Sequence, residues 1–457
     1  MTVTYVARAE ATLDRPARSY PVAMHLTRWL AVASLLAACT APESEVRPEP
    51  DTIFYPTALT VAPDDSVAFV VSGNSDLRYD SGTVQVMDLA AVEQAVVAWR
   101  ANRTVPAGCA ADIDQPATLA CGEADFLIDD AGVRVGNFAT AIAAQDLGGG
   151  RLRLLVPVRG DPSLTWADWD PATRKLQCST AQGFAVCDDD HRLVKLRGDD
   201  DLPTLATEPY AVFADSLGQF AVVSHFASGG VVSLIDSPRD GVPVLADFVG
   251  VGTSGRLSGV AGRREGDDDL IYVQSRDDDR VFLLTVARQG DRPPFLVSGG
   301  SFRQNGVGNG TGGTSADSRG IVFRDDGDRA YLINRSPPSL QEFDTSADAT
   351  GVPANRLTAS TDICRDATAV AATDTGLGER AYITCYGDGA VNVVDPRAGG
   401  MIETTALVGR GPIAVAAVPS RRMVLVANFL DDSVVVLDVD PASALFNRVV
   451  LRIGGKS

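Results

Sequence analysis

At 457 residues, with 45% apolar and 22% charged side chains, the chain can bury a large core and is neither disordered nor collagen-like. Forty Lys plus Arg against 59 Asp plus Glu give a net charge of −19, which argues against a nucleic-acid phosphate backbone as a partner. With 43 Gly, 25 Pro and only 6% aromatic residues, the composition favours many strands joined by tight turns, and no stretch after residue 40 is apolar for long enough to cross a bilayer.

In chain order, the first feature is the apolar run Leu30 to Ala38, which follows Arg28 and runs into Cys39. It has the length of a signal-peptide h-region and is too short for a transmembrane helix. Met24 to Arg28 forms an ordinary n-region, so translation is expected to start at Met24 and residues 1 to 38 to be removed. The ending Leu36-Ala37-Ala38-Cys39 resembles a bacterial lipobox. That resemblance implies cleavage before Cys39, a lipid on its sulfur, and the membrane as a partner through this anchor. The competing reading is an ordinary secretory signal cut near a cysteine. Loss of four Arg, one Glu and one Asp with residues 1 to 38 leaves the remainder two charges more acidic. Thr40 is not the Asp that favours inner-membrane retention, so the expected address is the outer membrane of a Gram-negative envelope. Residues 39 to 51, polar and carrying Pro42, Pro48 and Pro50, read as an extended tether to one folded unit, residues 52 to 457.

That unit opens with three β-branched segments bounded by turn residues: Pro56 to Val61, Val67 to Val71 and Gly82 to Asp88. The same order recurs at Pro209 to Val212, Phe220 to Ser224 and Val231 to Asp236. It appears most clearly at Gly411 to Val418, Met423 to Asn428 and Ser433 to Asp438, where Asn447 to Ile453 adds a fourth strand. Weaker copies begin at Ala139, Leu257, Ser318 and Ala367. The seven anchors, starting at Pro56 and ending at Pro412, are 83, 70, 48, 61, 49 and 45 residues apart. A period near 45 with four strands per unit predicts a seven-bladed β-propeller of four-stranded antiparallel blades, with insertions around 89–135 and 159–204. Six blades, with one insertion misread, is the alternative. The unit resembles the YVTN-type repeat of surface-layer and lactonase-like β-propellers, across about residues 54 to 454. Blade 2 departs furthest, lacking the proline and placing Leu164 to Asp170 where a final strand is expected.

Within the first insertion, Asp88 is placed to cap a short helix with Val92, Val96 and Trp99 on one side; an outer strand from Ala95 to Ala101 is an equal alternative. Ring closure is also open between a strand at Thr52 to Tyr55 zipped onto blade 7 and a local closure by Asn447 to Ile453.

Setting Cys39 aside, six cysteines remain, an even number in an exported chain. Cys109 and Cys121 are 12 apart, Cys178 and Cys187 are 9 apart, and Cys364 and Cys385 are 21 apart. Nearest-neighbour disulfides are the simplest pairing, each contributing on the order of 3 kcal/mol. The first would staple the insertion after blade 1 and the second the excursion after blade 2. Cys364 and Cys385 flank two antiparallel strands of one repeat, which brings them together.

Signals for chemistry are weaker. The acidic clusters at 188–190, 199–201, 267–269, 277–279 and 325–328 match no EF-hand, and Asp and Gly are turn formers, so no metal ligand is assigned; calcium is the only cofactor they suggest. His191 beside Asp190, and His225 after Ser224, lack a partner nucleophile, and no G-x-S-x-G occurs, so no catalytic residue is assigned. The glycine-rich run 306–313 lacks the lysine of a phosphate loop. Trp166 and Trp169 offer a stacking surface for a sugar or peptide, against ordinary packing between blades. The expected function is a non-catalytic envelope scaffold presenting loops to a protein or glycan; a metal-dependent, lactonase-like hydrolase working in the central funnel is the alternative.

Overall fold

The computed structural model describes residues 46–455 except 182, 195–204, 228, 253–254, 266–267, 291, 305–316, 325, 350 and 399. Cys39, the signal segment, the acidic run 199–201 and the glycine run 306–313 therefore lie outside the described residues.

Seven antiparallel sheets follow one another along the chain. Blade 1 joins β1 (Pro56–Val61), β2 (Val67–Ser72) and β3 (Gly82–Asp88) to β6 (Val133–Val135). Helix α1 (Leu89–Asn102) and the hairpin β4 (Cys109–Ala111) and β5 (Leu119–Cys121) are inserted before that outer strand. Blade 2 comprises β7 (Ala143–Gly148), β8 (Arg151–Val158), β9 (Ser163–Asp170) and β10 (Lys175–Gln177), with β11 (Arg192–Leu193) added to β9. Blade 3 is β12 (Pro209–Ala214), β13 (Phe220–His225), β14 (Val231–Asp236) and β15 (Val244–Gly250). Blade 4 is β16 (Leu257–Glu265), β17 (Asp268–Ser275), β18 (Arg280–Ala287) and β19 (Phe295–Arg303). Blade 5 follows as β20 (Ser318–Phe323), β21 (Arg329–Arg335), β22 (Pro338–Asp344) and β23 (Arg356–Asp362). Blade 6 is β24 (Ala367–Asp374), β25 (Glu379–Cys385), β26 (Ala390–Asp395) and β27 (Met401–Leu407). Blade 7 is β28 (Pro412–Val418), β29 (Met423–Asn428), β30 (Ser433–Asp438) and β31 (Arg448–Gly454). The inner strands touch in chain order and β28 returns to β1, which closes a ring of seven and excludes the six-bladed alternative.

The sequence pattern follows from layer position. Second strands such as β2, β13 and β29 are buried along their whole length because neighbouring blades cover both of their faces, so they read as unbroken apolar runs. Outer strands such as β23 alternate exposed and covered residues. Each core lies between blades: Phe69 and Val71 of blade 1 pack with Leu154, Val156 and Trp169 of blade 2.

The structure departs from the sequence reading in blades 1 and 2. Residues 163–170 form the third strand of blade 2, where the repeat places Leu164 to Asp170; the excursion starts only after Gln177 rather than near residue 159, and the blade starts at Ala143, Ala139 making only an isolated bridge to Val158. Likewise the first insertion lies inside blade 1, between its third and fourth strands. It begins as a helix: Asp88 Oδ1 accepts from the backbone N–H groups of Ala90 and Ala91 at 2.9 and 3.3 Å, and Leu89, Val92, Val96 and Trp99 are buried.

The insertion then crosses to blade 7. Strand β5 pairs in parallel with β31, setting Leu119 opposite Leu451, so blade 7 becomes a six-stranded sheet. Closure is thus local, with β31 as the fourth strand, and the hairpin latches its outer edge. Residues 52 to 55 form no strand; the Tyr55 N–H instead donates to Asp432 Oδ1 of blade 7 at 2.8 Å. Disulfides join Cys109 to Cys121 across the hairpin, Cys178 to Cys187 beyond β10, and Cys364 to Cys385 at the start of blade 6.

Candidate functional site

Two structural repeats build the mouth of the central funnel. The first is a bulge at the start of the inner strand. Pairing with the second strand skips Thr57, Tyr210, Ser258, Arg319 and Ile413 in blades 1, 3, 4, 5 and 7, and Thr368 with Ala369 in blade 6. Together with Thr140 of blade 2, these residues line the mouth. Where the residue is a small hydroxyl, it donates to the backbone of the next blade: Thr57 to Ala139 O at 2.8 Å, Thr140 to Tyr210 O at 2.6 Å, Ser258 to Ser318 O at 2.6 Å and Thr368 to Pro412 O at 2.9 Å.

The second repeat is a backbone hydrogen bond. The residue that ends or follows each second strand donates its N–H to a carbonyl ahead of the inner strand: Gly73 to Tyr55, Arg159 to Phe138, Phe226 to Glu208, Arg276 to Arg256, Arg335 to Asp317, Tyr386 to Asp366 and Phe429 to Gly411. Seven equivalent positions are thereby held around the mouth. They carry three arginines, three aromatic rings and one glycine, with no carboxylate and no imidazole.

The resulting cavity is about 650 Å³ and open at one end; Arg159, Arg319 and Arg335 contribute its charge, and Tyr210, Tyr386 and Phe429 its rings. Two of these guanidiniums are paired with carboxylates, Arg159 across the junction to blade 3 and Arg319 within blade 5. Arg159 meets Glu208 at 3.1 Å and lies 5.2 Å from the Phe226 ring centre, while its Nε is buried without a hydrogen-bond partner. Arg319 and Arg276 converge on a single carboxylate, Asp317, at 2.8 and 2.9 Å. Burial raises the Asp317 pKa, but hydrogen bonds from Arg319 and Arg276 outweigh it and hold the group below its ordinary value, so it is a poor proton acceptor. Arg335 differs: it donates to two backbone carbonyls, Ala367 O at 2.6 Å and Asp366 O at 3.3 Å, and has no carboxylate in ion-pair contact among the described residues. Burial, with repulsion from Arg319 next, pulls its guanidinium below the usual arginine value.

The residues singled out in the sequence sit elsewhere. His225 ends β13 inside blade 3, fully buried, with Nε2 2.9 Å from Ser233 Oγ; it fills the polar position that Ser72, Ser275, Asn334 and Asn428 fill in other blades, so it is not on the funnel rim. Burial lowers its pKa to about 4. His191 contacts Asp188 at 2.7 Å in a short 3₁₀ turn and lies against the Trp166 ring. Trp166 and Trp169 are both buried, the latter against Phe69, so neither offers a stacking surface. Asp277, Asp278 and Asp279 each face an arginine, respectively Arg256, Arg280 and Arg303, which accounts for that cluster as an ion-paired turn. Among the described residues, the one group whose donor atoms converge as metal ligands would is Cys364, Cys385 and Asp388, and both of its sulfurs are in a disulfide. The funnel arginines were missed because each stands alone in the sequence; aligning the repeats on the end of the second strand would have exposed Arg159 and Arg335, and aligning them on the inner-strand bulge would have exposed Arg319.

Fold and mouth together define a seven-bladed β-propeller with a cationic, ring-lined funnel in an acidic chain. No protein-family model and no curated protein matches the sequence. Among solved structures it is similar to a putative 6-phosphogluconolactonase from Bacteroides uniformis, at 13% identity and a TM-score of 0.51, over 78% of this chain and 86% of that one. It is also similar to Kuenenia stuttgartiensis hydrazine synthase, at 13% and 0.52 over 88% and 99%, and to the Pseudomonas aeruginosa periplasmic gluconolactonase, at 15% and 0.48 over 78% and 86%. Likeness at this level shows the fold alone, and a fold shared by proteins so differently named does not select a chemistry.

Proposed function

We propose that the protein is a non-catalytic binding propeller of the bacterial envelope, anchored by a lipid on Cys39, with the funnel mouth as its binding site. The observation that carries this reading is the lining: guanidiniums, hydroxyls and rings from all seven blades, with no Asp, Glu or His lining the cavity among the described residues. Such a surface recognises a ligand but offers no general base to activate water. The three disulfides support an oxidising, extracytoplasmic address. A scaffold role for the blade 1 insertion has less support, since α1 and the hairpin are occupied in holding blades 1 and 7 together.

Two measurements test the reading. Purified protein is expected to release a bound small molecule on denaturation in mass spectrometry and to hydrolyse gluconolactone no faster than buffer; hydrolysis abolished by Arg319→Gln would overturn it. Incorporation of labelled palmitate is expected in the native chain and not in Cys39→Ala; incorporation that survives this change would remove the anchor.

A further inference from the structure

We infer that the funnel mouth binds an organic anion, a carboxylate or phosphate carried on a flat ring-shaped body, with Arg335 as its principal charged contact. This inference rests on the funnel being the binding site, and it adds the chemical class of the ligand.

The first argument is a local excess of charge. Arg276 and Arg319 hold the carboxylate of Asp317 at 2.9 and 2.8 Å, and Arg335 beside them has no carboxylate in ion-pair contact among the described residues. Asp366 offers Arg335 its backbone carbonyl rather than an ion pair, and its own carboxylate lies beside Gly387. Three guanidiniums around one carboxylate, in a chain whose net charge is −19, are not a sampling of the average surface. Clustered cations repel and lose hydration, and an anion in the cavity relieves both costs.

The second argument is geometry. Guanidinium planes bind carboxylate and phosphate in a forked, charge-assisted arrangement, which a lysine in the same place would not reproduce. Arg335 is pinned by Ala367 O at 2.6 Å and Asp366 O at 3.3 Å, so its orientation is fixed before a ligand arrives. Arg159 brings another guanidinium to the same cavity, with its Nε buried and without a hydrogen-bond partner. Tyr210, Tyr386 and Phe429 also line the cavity, and aromatic rings there favour a flat or ring-shaped body over a bare inorganic ion.

The test is calorimetric titration of the purified protein with benzoate, phenyl phosphate, inorganic phosphate and the neutral analogue benzyl alcohol. At least one ring-bearing anion is expected to bind, more tightly than inorganic phosphate and than benzyl alcohol; which anion wins distinguishes carboxylate from phosphate. Binding is expected to weaken about tenfold or more in Arg335→Gln and to be partly retained in Arg335→Lys. A drop common to both variants together with lower melting temperatures would assign Arg335 to the blade 5–6 junction alone and overturn the inference. Benzyl alcohol binding the native protein and Arg335→Gln as well as the anions do would also overturn it, while leaving the funnel as a binding site. Absence of binding by all four probes would overturn both. Arg410→Gln, whose side chain pairs with Asp431 outside the cavity, is expected to bind as the native protein does.

Discussion

Blades 3 to 6 and the junction of blades 7 and 1 solve the same problem differently. Each of blades 3 to 6 is four consecutive strands, complete in itself, and meets its neighbours through apolar faces and a few polar contacts such as Ser258 to Ser318 O and Arg335 to Ala367 O. The 7–1 junction joins the two ends of the ring, and no continuous strand crosses it. In its place the chain inserts 44 residues between β3 and β6 of blade 1 and folds them over blade 7. Trp99, Val96 and Leu119 from that insertion share one core with Leu425, Val434 and Leu451 of blade 7. The lesson is that this ring is locked from its outer edge, by added strands and a helix, rather than by exchanging a strand across the seam.

The largest expected effect falls on that lock. Trp99 is 3% exposed, donates its Nε1–H to Ala117 O at 2.7 Å and lies under the Arg103 guanidinium. Trp99→Ala is expected to cost about 4 kcal/mol in denaturant unfolding, the cavity and the lost hydrogen bond to Ala117 O adding together, although Arg103 still donates to that carbonyl at 3.2 Å. If the insertion were a mere appendage, the unfolding midpoint would hardly move, and the contrast between the seam and the local blades would fail.

Blade 3 provides the matching test inside a local blade. Burial lowers the His225 pKa to about 4, whereas an unfolded histidine titrates near 6.5. Between those values the unfolded chain binds the proton and the folded one does not, so stability rises with pH across this window and is lost as pH falls through it. The full span corresponds to about 3 kcal/mol. His225→Asn, chosen because Asn334 and Asn428 occupy the equivalent place in blades 5 and 7, is expected to flatten stability between pH 6.5 and 4. An unchanged slope in urea titrations would rule the buried imidazole out as its source.

Next in size is the Cys109–Cys121 bridge, which closes the hairpin pairing with β31. Replacing both cysteines with serine is expected to cost about 2 to 3 kcal/mol and to speed amide exchange in β31 and β5 before it touches blades 3 to 6. Uniform acceleration around the ring would show that seam and blades unfold as one unit.

What the sequence disclosed follows the same division. Blades 3 to 7 were legible because fully buried middle strands make unbroken runs such as Val222-Val223 and Val434-Val435-Val436, repeated at near-constant spacing. Blade 2 was harder to bound: Ser163 to Asp170 carries two tryptophans where its counterparts are aliphatic, although it is as buried as they are, and the blade begins at Ala143 rather than at Ala139. The β4 and β5 strands are three residues each, and β5 pairs with a strand more than 300 positions away, a contact no local pattern records. The funnel mouth was illegible for a related reason: Arg159, Arg319 and Arg335 acquire meaning only when seven blades bring single residues to one axis.

The smallest effects sharpen the comparison most directly, because they act one junction at a time. Thr57, Thr140, Ser258 and Thr368 each donate one hydroxyl across a junction, from blades 1 to 2, 2 to 3, 4 to 5 and 6 to 7. Replacing any one of the threonines with valine keeps the shape and removes the donor, leaving a next-blade carbonyl short of one partner; the expected cost is about 1 kcal/mol. Changes at Thr57 and Thr368 lie on different junctions with no shared partner, so their costs should add. A sum well above additivity in the double variant would mean that the junctions communicate around the ring, and that the local blades are less independent of the seam than their strand order implies.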